Sequence, residues 1–282
     1  MLKQISLLIL CAAAIVCFAT PVQACTSAVV SGKVTPDGRP LLWKNRDTDF
    51  MQNHIDYVKG EKYNFIAVVN SANAYLKEAW MGTNSSGFAL MNTQSYNLVD
   101  VKGDEERGAA NGRVIYRALE VCATVEDFCH FLDTISKPSD IEANFGVIDA
   151  QGGAAMFEVD YYKYVMYDAN NPKDAPYGYI ARTNFSFAGK VNEGAGYVRY
   201  MEADQVLMKA SATGSITPQF IFNDLSRSFR NRMLDIDLRS GAYNRPQASG
   251  WFVDQDFIPR SSTSCSVVVQ GVKPGEKAEL TT

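Results

Sequence analysis

A cysteine that becomes the first residue of a protein carries a thiol nucleophile and a free amine on one residue, so it brings its own base. Cys25 stands where this could happen. It follows Val22-Gln23-Ala24, a small-residue cleavage signature. Further upstream, Lys3 and the apolar run Ile5 to Phe18 supply the charged and apolar regions of a secretory leader. That run of about 14 residues is short for a membrane span of about 20, and Thr20-Pro21 breaks it before the cleavage site. The expectation is a signal peptide over 1–24 and cleavage after Ala24. The product would be an exported protein, periplasmic or extracellular, with no stable membrane insertion once the leader is gone. Two alternatives stay open. One is an uncleaved anchor. The other is lipoprotein processing, which also cuts before a cysteine and would place a lipid on Cys25. Gln23 is bulky and polar where lipoprotein signals carry a small or apolar residue, which disfavours the second.

An α-amine has a reference pKa near 8 and a cysteine thiol one near 8.5, so proton transfer between them costs only about 1 kcal/mol or less. The amine can deprotonate the thiol, directly or through water, and later protonate a leaving amine. No other base is in sight. The two histidines, His54 and His130, have no visible partners. A Gly-x-Ser-x-Gly elbow, a His-Glu-x-x-His pair, a phosphate-binding loop and a dinucleotide fingerprint are all missing. Oxyanion donors would have to come from Asn side chains in strand-end loops. No cofactor and no metal are expected.

Composition bounds the rest. Removing the leader leaves about 258 residues, enough for one large domain over 25–282. The net charge of −4 comes from interspersed residues, so neither a nucleic-acid stripe nor a disordered tail is indicated. The expected partner is a small molecule, and a homo-oligomer stays open. Cys25, Cys122, Cys129 and Cys265 remain after cleavage. On one helix, Cys122 and Cys129 would lie about 10 Å apart, beyond disulfide reach; a bridge would need a turn between them, which Thr124 could start, and buried reduced thiols are the expectation. Cys129-His130 lacks the second ligand cluster that a metal site needs.

The elements that must position Cys25 can be read from periodicity. Thr26 to Ser31 alternates and forms a strand; Thr35-Pro36-Asp37-Gly38 turns the chain; Leu41 to Lys44 returns and delivers Asn45-Arg46-Asp47. Further strands are expected at Phe65–Val69, Ala79–Thr83, Phe88–Asn92, Asn144–Asp149, Ala154–Asp160, Tyr164–Tyr167 and Ser266–Val272. Val114, Ile115, Ala118, Leu119 and Cys122 predict one helix, and Thr124 caps a second carrying Phe128, Phe131, Leu132 and Ile135. Tyr197–Ala210 predicts a third. Thr217-Pro218 opens a fourth, with Phe220, Ile221, Leu225 and Phe229 on it. Strands, helices, strands, helices, strand is the order of a layered α+β domain with two sheets and helices outside them.

The segment from Cys25-Thr26-Ser27 to Lys44-Asn45-Arg46-Asp47 resembles the start of the choloylglycine hydrolase and acyl-CoA:6-aminopenicillanate acyltransferase families. Members open on Cys-Thr, make a hairpin and carry an Arg-Asn-x-Asp element. Gly82 to Asn92, Phe157-Glu158-Val159, Arg182-Thr183-Asn184-Phe185, Tyr197-Val198-Arg199-Tyr200 and Ser266-Val267-Val268-Val269 are similar to later motifs, in order, over most of 25–275. The resemblance implies a four-layer αββα N-terminal-nucleophile (Ntn) fold, two stacked antiparallel sheets between helical layers. It implies hydrolysis of a linear amide through an acyl-cysteine, like bile-salt hydrolases and penicillin acylases. An acyltransferase, or a non-enzymatic exported lipoprotein, is the alternative. Cys25 would be nucleophile and, through its amine, acid and base. Asp47 would hold the amine or thiol, Asn92 and Asn184 would serve the oxyanion or orient the amine, and Arg199 would add positive potential. Lys44 replaces the family's Arg, keeping the charge without the bidentate fork, while Arg46 sits two residues on. Gln94 competes with Asn92. Members also continue past a Lys-Pro-Gly-Glu-like stretch into further strands, which leaves a C-terminal truncation of 25–282 open. Substrate choice is expected from loops at Phe50–Tyr57 and Asn97–Arg107.

Overall fold

The computed structural model describes residues 24–100, 108–240 and 254–282. The expected leader, up to residue 23, and residues 101–107 of the Asn97–Arg107 loop lie outside them. Two antiparallel sheets stack face to face. The smaller has the order β10-β1-β2-β13, with β1 at Cys25–Val30, β2 at Leu41–Asp47, β10 at Tyr179–Arg182 and β13 at Thr263–Gln270. The larger is a seven-stranded meander: β3 (Asn53–Val58), β4 (Phe65–Asn70), β5 (Met81–Asn84), β6 (Ala89–Gln94), β7 (Ala143–Ile148), β8 (Ala154–Val159) and β9 (Tyr164–Asp168). A two-residue pair, β11 (Arg230–Asn231) and β12 (Ile236–Asp237), stands apart.

Strict alternation explains the layering, because successive strand side chains point to opposite faces. In the small sheet Ala28, Val30, Leu41 and Trp43 pack with Ala203, Leu207, Ile221 and Leu225 of the helical layer. Their neighbours Val29 and Leu42 face the other sheet, where they meet Met81, Ala89, Met91, Ile148 and Met156. Behind the large sheet, α1 (Asn111–Val121) and α2 (Val125–Thr134) close a third core of Phe65, Phe88, Leu119, Phe128, Phe145 and Phe157. The expected αββα arrangement is therefore present. Close approach of the sheets depends on Gly146: a Cβ there would sit 2.3 Å from Met91 Cε and 2.8 Å from Val29 Cγ2.

Local signals work where they were expected. Thr124 caps α2, accepting from the Asp127 N–H at 3.0 Å, a contact worth about 1 kcal/mol. Cys122 and Cys129 are free thiols, the first buried at the C-cap of α1 and the second on α2. Other expectations need correction. The helix opened by Thr217-Pro218 runs only over Pro218–Phe220 and a wide turn at Ile221–Leu225, so it never carries Phe229. The Ser226 hydroxyl bonds back to the Phe222 carbonyl there, competing with the helical ladder. Ala79 and Trp80 precede β5 rather than belonging to it. Phe50–Tyr57 is mostly strand β3, not loop. It is an edge strand in which no residue is fully buried, so burial imposes little alternation on its sequence. Among the described residues no helix is long and apolar enough to cross a membrane.

Candidate active site

Register places the chemistry. Cys25 opens β1 opposite Arg46 of β2, and Ser27 stands opposite Lys44. Since Val29 and Leu42 of the same strands line the inter-sheet core, alternation sends Cys25, Lys44 and Arg46 into the space between the sheets. On the far side of Arg46, β13 sets Cys265 in the same row. All three residues of the Cys25, Lys44, Arg46 group are over nine-tenths buried.

The main chain of Cys25 is gripped from two elements. Its N–H donates to Asn184 Oδ1 at 3.0 Å, and its carbonyl accepts from Arg199 Nη1 at 2.7 Å. Arg199 also donates to Thr26 Oγ1 at 2.9 Å and, through Nη2, to Asn184 Oδ1 at 2.8 Å. Arg199 lies in the first turn of α3 (Tyr197–Ala212), where the helix dipole disfavours a cation. Its acceptors offset that cost. Burial, and then the neighbouring Arg260, lower its pKa to about 10, still above any neutral working pH. Gly196, with φ near 86°, makes room: a Cβ there would lie 2.4 Å from Arg199 Nη2.

Asn184 is itself locked, donating Nδ2 to the Gln94 carbonyl at 2.8 Å. The segment carrying it is held by buried polar groups of the large sheet. Asn144 Nδ2 donates to the carbonyls of Thr183 and Phe185 at 3.2 Å each. Glu158 takes Arg182 Nε at 2.7 Å and the N–H groups of Phe187 and Ala188 at 2.8 and 2.7 Å. Both ends of the Asn184 amide are engaged: its oxygen accepts from the Cys25 nitrogen and Arg199, and its Nδ2 gives one hydrogen to the Gln94 carbonyl.

Asp47 touches Cys25 through its main chain: the thiol lies 3.9 Å from the Asp47 carbonyl oxygen. Its carboxylate instead takes Thr263 Oγ1 at 2.6 Å and Arg260 Nε at 3.1 Å, and Arg260 Nη2 reaches the Ala24 carbonyl at 3.3 Å. Burial raises the Asp47 pKa above the ordinary carboxylate value, although Arg260 and Thr263 oppose it.

Lys44 Nζ donates to Asn92 Oδ1 at 2.9 Å and to the Trp80 carbonyl at 3.0 Å. An ammonium has only donors, so this contact fixes the Asn92 amide with its oxygen on Lys44 and its Nδ2 left to donate elsewhere. The Gln94 side chain turns toward α1, accepting from Asn111 Nδ2 at 2.7 Å. Between the two candidates, Asn92 is the one joined to Lys44. His54 and His130 are exposed, and His54 Nδ1 lies 3.1 Å from Ser71 Oγ.

Burial lowers the Lys44 pKa to about 8, with the Cys25 thiol opposing. An unfolded lysine keeps its proton to about 10.4, so between those values the unfolded chain binds more protons and folding stability rises with pH. We predict that this rise, on the order of 3 kcal/mol, is present in the parent and absent in Lys44→Met when urea midpoints are compared at pH 7.5 and 10. Parallel curves would show that Lys44 keeps its ordinary pKa.

Sequence reading missed Arg260 and Thr263, which hold Asp47, and Asn53, Asn70 and Trp80, which hold Arg46. No local motif marks any of them. An apolar cavity of about 140 Å³ lies between the sheets, lined by Ile55, Ile66, Val68, Met81 and Val267–Val269. A larger cleft of about 530 Å³ beside Thr124, Asp149 and Asn170 contains none of the candidate residues.

Comparison with known proteins gives one family. A family model described as "Acyl-coenzyme A:6-aminopenicillanic acid acyl-transferase" matches residues 34–211, more than half of the chain. The match holds Lys44, Asp47, Asn92, Asn184 and Arg199 and leaves Cys25 and Arg260 outside. No curated protein matches by sequence. Among solved structures, a Caenorhabditis elegans N-acylethanolamine-hydrolyzing acid amidase ortholog is 15% identical, covering 71% of this chain and 88% of its own, with TM-score 0.46. A conjugated bile acid hydrolase variant from Clostridium perfringens is 15% identical, covering 71% and 74%, with TM-score 0.43. A penicillin V acylase from Agrobacterium tumefaciens is 15% identical, covering 69% and 75%, with TM-score 0.38.

Proposed function

On the premise that the chain belongs to the acyl-coenzyme A:6-aminopenicillanic acid acyl-transferase family, we propose that it cleaves a linear amide through an acyl-cysteine at Cys25. One observation carries this reading: Asn184 and Arg199, from two separate elements, converge on the nitrogen and carbonyl of a buried cysteine. Clamping a main-chain nitrogen that firmly has a chemical purpose if that nitrogen is the mature α-amine. We place the mature N-terminus at Cys25, after export and cleavage following Ala24.

The geometry supports the following steps. Asn184 Oδ1 accepts one amine hydrogen and so aims the nitrogen lone pair. The amine takes the thiol proton. The thiolate, beside the cations Lys44 and Arg46, attacks the amide carbon, and its sulfur–carbon bond forms as the carbonyl becomes an oxyanion. Asn92 Nδ2, fixed in orientation by Lys44, donates to that oxyanion. The ammonium returns its proton to the leaving nitrogen, the C–N bond breaks, and a thioester remains. Water deprotonated by the same amine then releases the acid; an amine in its place would make the enzyme a transferase.

Burial of Cys25 between the sheets gives no support to a lipid on its sulfur. The test is mass spectrometry of the mature protein incubated with a panel of N-acyl amides. Expected is an unmodified N-terminal Cys25 that gains the acyl mass. A diacylglyceryl mass at Cys25 would overturn the proposal.

A further inference from the structure

Arg260 is fixed beside Cys25 from several sides. Its Nε pairs with Asp47 Oδ2 at 3.1 Å, its Nη1 donates to Gln255 Oε1 at 2.8 Å, and its own main-chain N–H donates to Thr263 Oγ1 at 2.9 Å. The side chain is 4% exposed. The remaining arm, Nη2, donates to the Ala24 carbonyl at 3.3 Å. That acceptor differs from the others, because it belongs to the segment that the proposed cleavage removes. In the mature enzyme the residue keeps Asp47, Gln255 and Thr263, and one fixed arm of its guanidinium is left to donate elsewhere.

Covalent geometry defines where that arm points. In a trans peptide the carbonyl oxygen lies about 2.3 Å from the nitrogen of the next residue, so the Ala24 oxygen marks a point beside the Cys25 nitrogen. Ala24 is 1% exposed, and its departure opens a buried space with two polar walls. One is the new α-amine, held by Asn184 Oδ1; the other is Arg260 Nη2. Buried polar sites of this kind hold water. A water lying only about 0.6 Å further out than the carbonyl oxygen would be at hydrogen-bond distance from the amine. Arg199, the other cation on this main chain, donates to the Cys25 carbonyl, Thr26 and Asn184, all of which the mature chain keeps.

We propose that Arg260 positions the hydrolytic water, holding its oxygen close to where the Ala24 carbonyl oxygen lay, for release of the acyl group from Cys25. This rests on the reading of Cys25 as an N-terminal nucleophile. A guanidinium has only donors, so it engages a lone pair of the water and turns a water hydrogen toward the amine. The amine takes that proton, the water oxygen bonds to the thioester carbon, and the carbon–sulfur bond breaks. The ammonium returns its proton to the thiolate, leaving acid and thiol. Because amine and sulfur belong to one residue, a water bonded to the amine is within reach of the thioester carbon. Acylation of Cys25 uses no water, so the effect of Arg260 on this step is confined to deacylation.

The test uses Arg260→Lys, which keeps a charge for Asp47 and lacks the forked arm. Mature parent and variant are mixed with decanoyl p-nitroanilide, whose p-nitroaniline reports acylation and whose decanoic acid reports deacylation. Deacylation of the variant should be about 100-fold slower. p-Nitroaniline should then appear in a burst equal to the enzyme present, the decanoyl mass should accumulate on Cys25, and kcat and KM should fall together with kcat/KM almost unchanged. Hydroxylamine, which attacks thioesters without a base, should restore turnover of the variant. A role confined to holding Asp47 would lower kcat/KM with no accumulated adduct, and that result would overturn the proposal. Should Arg260→Lys fail to fold, Arg260→Met in the Asp47→Asn background, which removes both charges of the pair, takes its place with the same readings. An unchanged lifetime of the acyl-Cys25 adduct refutes the role of Arg260 and leaves the nucleophile standing. Absence of both adduct and p-nitroaniline in parent and variant alike refutes the nucleophile as well.

Discussion

Cys25→Ala is expected to lower turnover of any accepted amide by a factor of about 10⁴ or more and to abolish the acyl adduct. The fold should survive. The contacts that fix β1 at this point use the main-chain nitrogen and carbonyl, which alanine keeps. The thiol makes only a 3.9 Å contact with the Asp47 carbonyl, so the melting temperature should move by no more than a few degrees. Cys25→Ser keeps an oxygen nucleophile, but one whose proton the amine cannot readily take, and should be almost as inactive. Full turnover by Cys25→Ala, measured by mass-detected product release, would falsify the mechanism.

The second large effect is expected at Asp47. Asp47→Asn retains the shape of the side chain and removes the charge that Arg260 pairs with at 3.1 Å. Both side chains are almost wholly buried, at 0% and 4% exposure. Removing one member of such a pair leaves the other uncompensated, a loss of about 3–5 kcal/mol. For a chain of this size that corresponds to a melting temperature lower by roughly 6–20 °C. Burial raises the Asp47 pKa against the attraction of Arg260, and a buried pair gains little net stability once its desolvation is counted. The damage comes from the orphaned guanidinium. Arg260→Met in the Asp47→Asn background should therefore recover much of the loss, with a coupling energy of at least about 1 kcal/mol in the double-mutant cycle. Additive effects would mean that the two side chains act independently.

The strands and helices that carry Cys25, Lys44, Asp47 and Arg199 can be read from the sequence because each has a buried face with a clear period. Alternation along Thr26–Val30 and Leu41–Trp43 is imposed by different neighbours on the two faces, α3 on one and the large sheet on the other. Strand β3 has no such constraint and stayed hidden. Asn184 was legible as part of a motif, but its role emerged only from the two bonds that occupy its amide. Arg260 was not legible at all. It meets Asp47 across 213 residues, and nothing near Pro259-Arg260-Ser261 signals an ion pair. The same holds for Asn53 and Asn70, two unremarkable strand-end residues until β3 and β4 pair and present both carbonyl oxygens to Arg46.

The burial of Ala24 would set a clock on the proposed maturation. Ala24 is 1% exposed, its carbonyl is held by Arg260, and the next nitrogen is held by Asn184. A peptidase needs several extended residues in its own cleft, and folded, hydrogen-bonded backbone does not provide them. The proposed cut after Ala24 must therefore come before β1 docks between β10 and β2. A chain that folds first seals its own cleavage point and is trapped with an amide where the amine should be. A chain cut first docks with the amine already facing Asn184. Under the proposed export and cleavage, the order of events, rather than affinity or geometry, would decide what fraction of molecules is competent. Slowing the fold before translocation should raise that fraction.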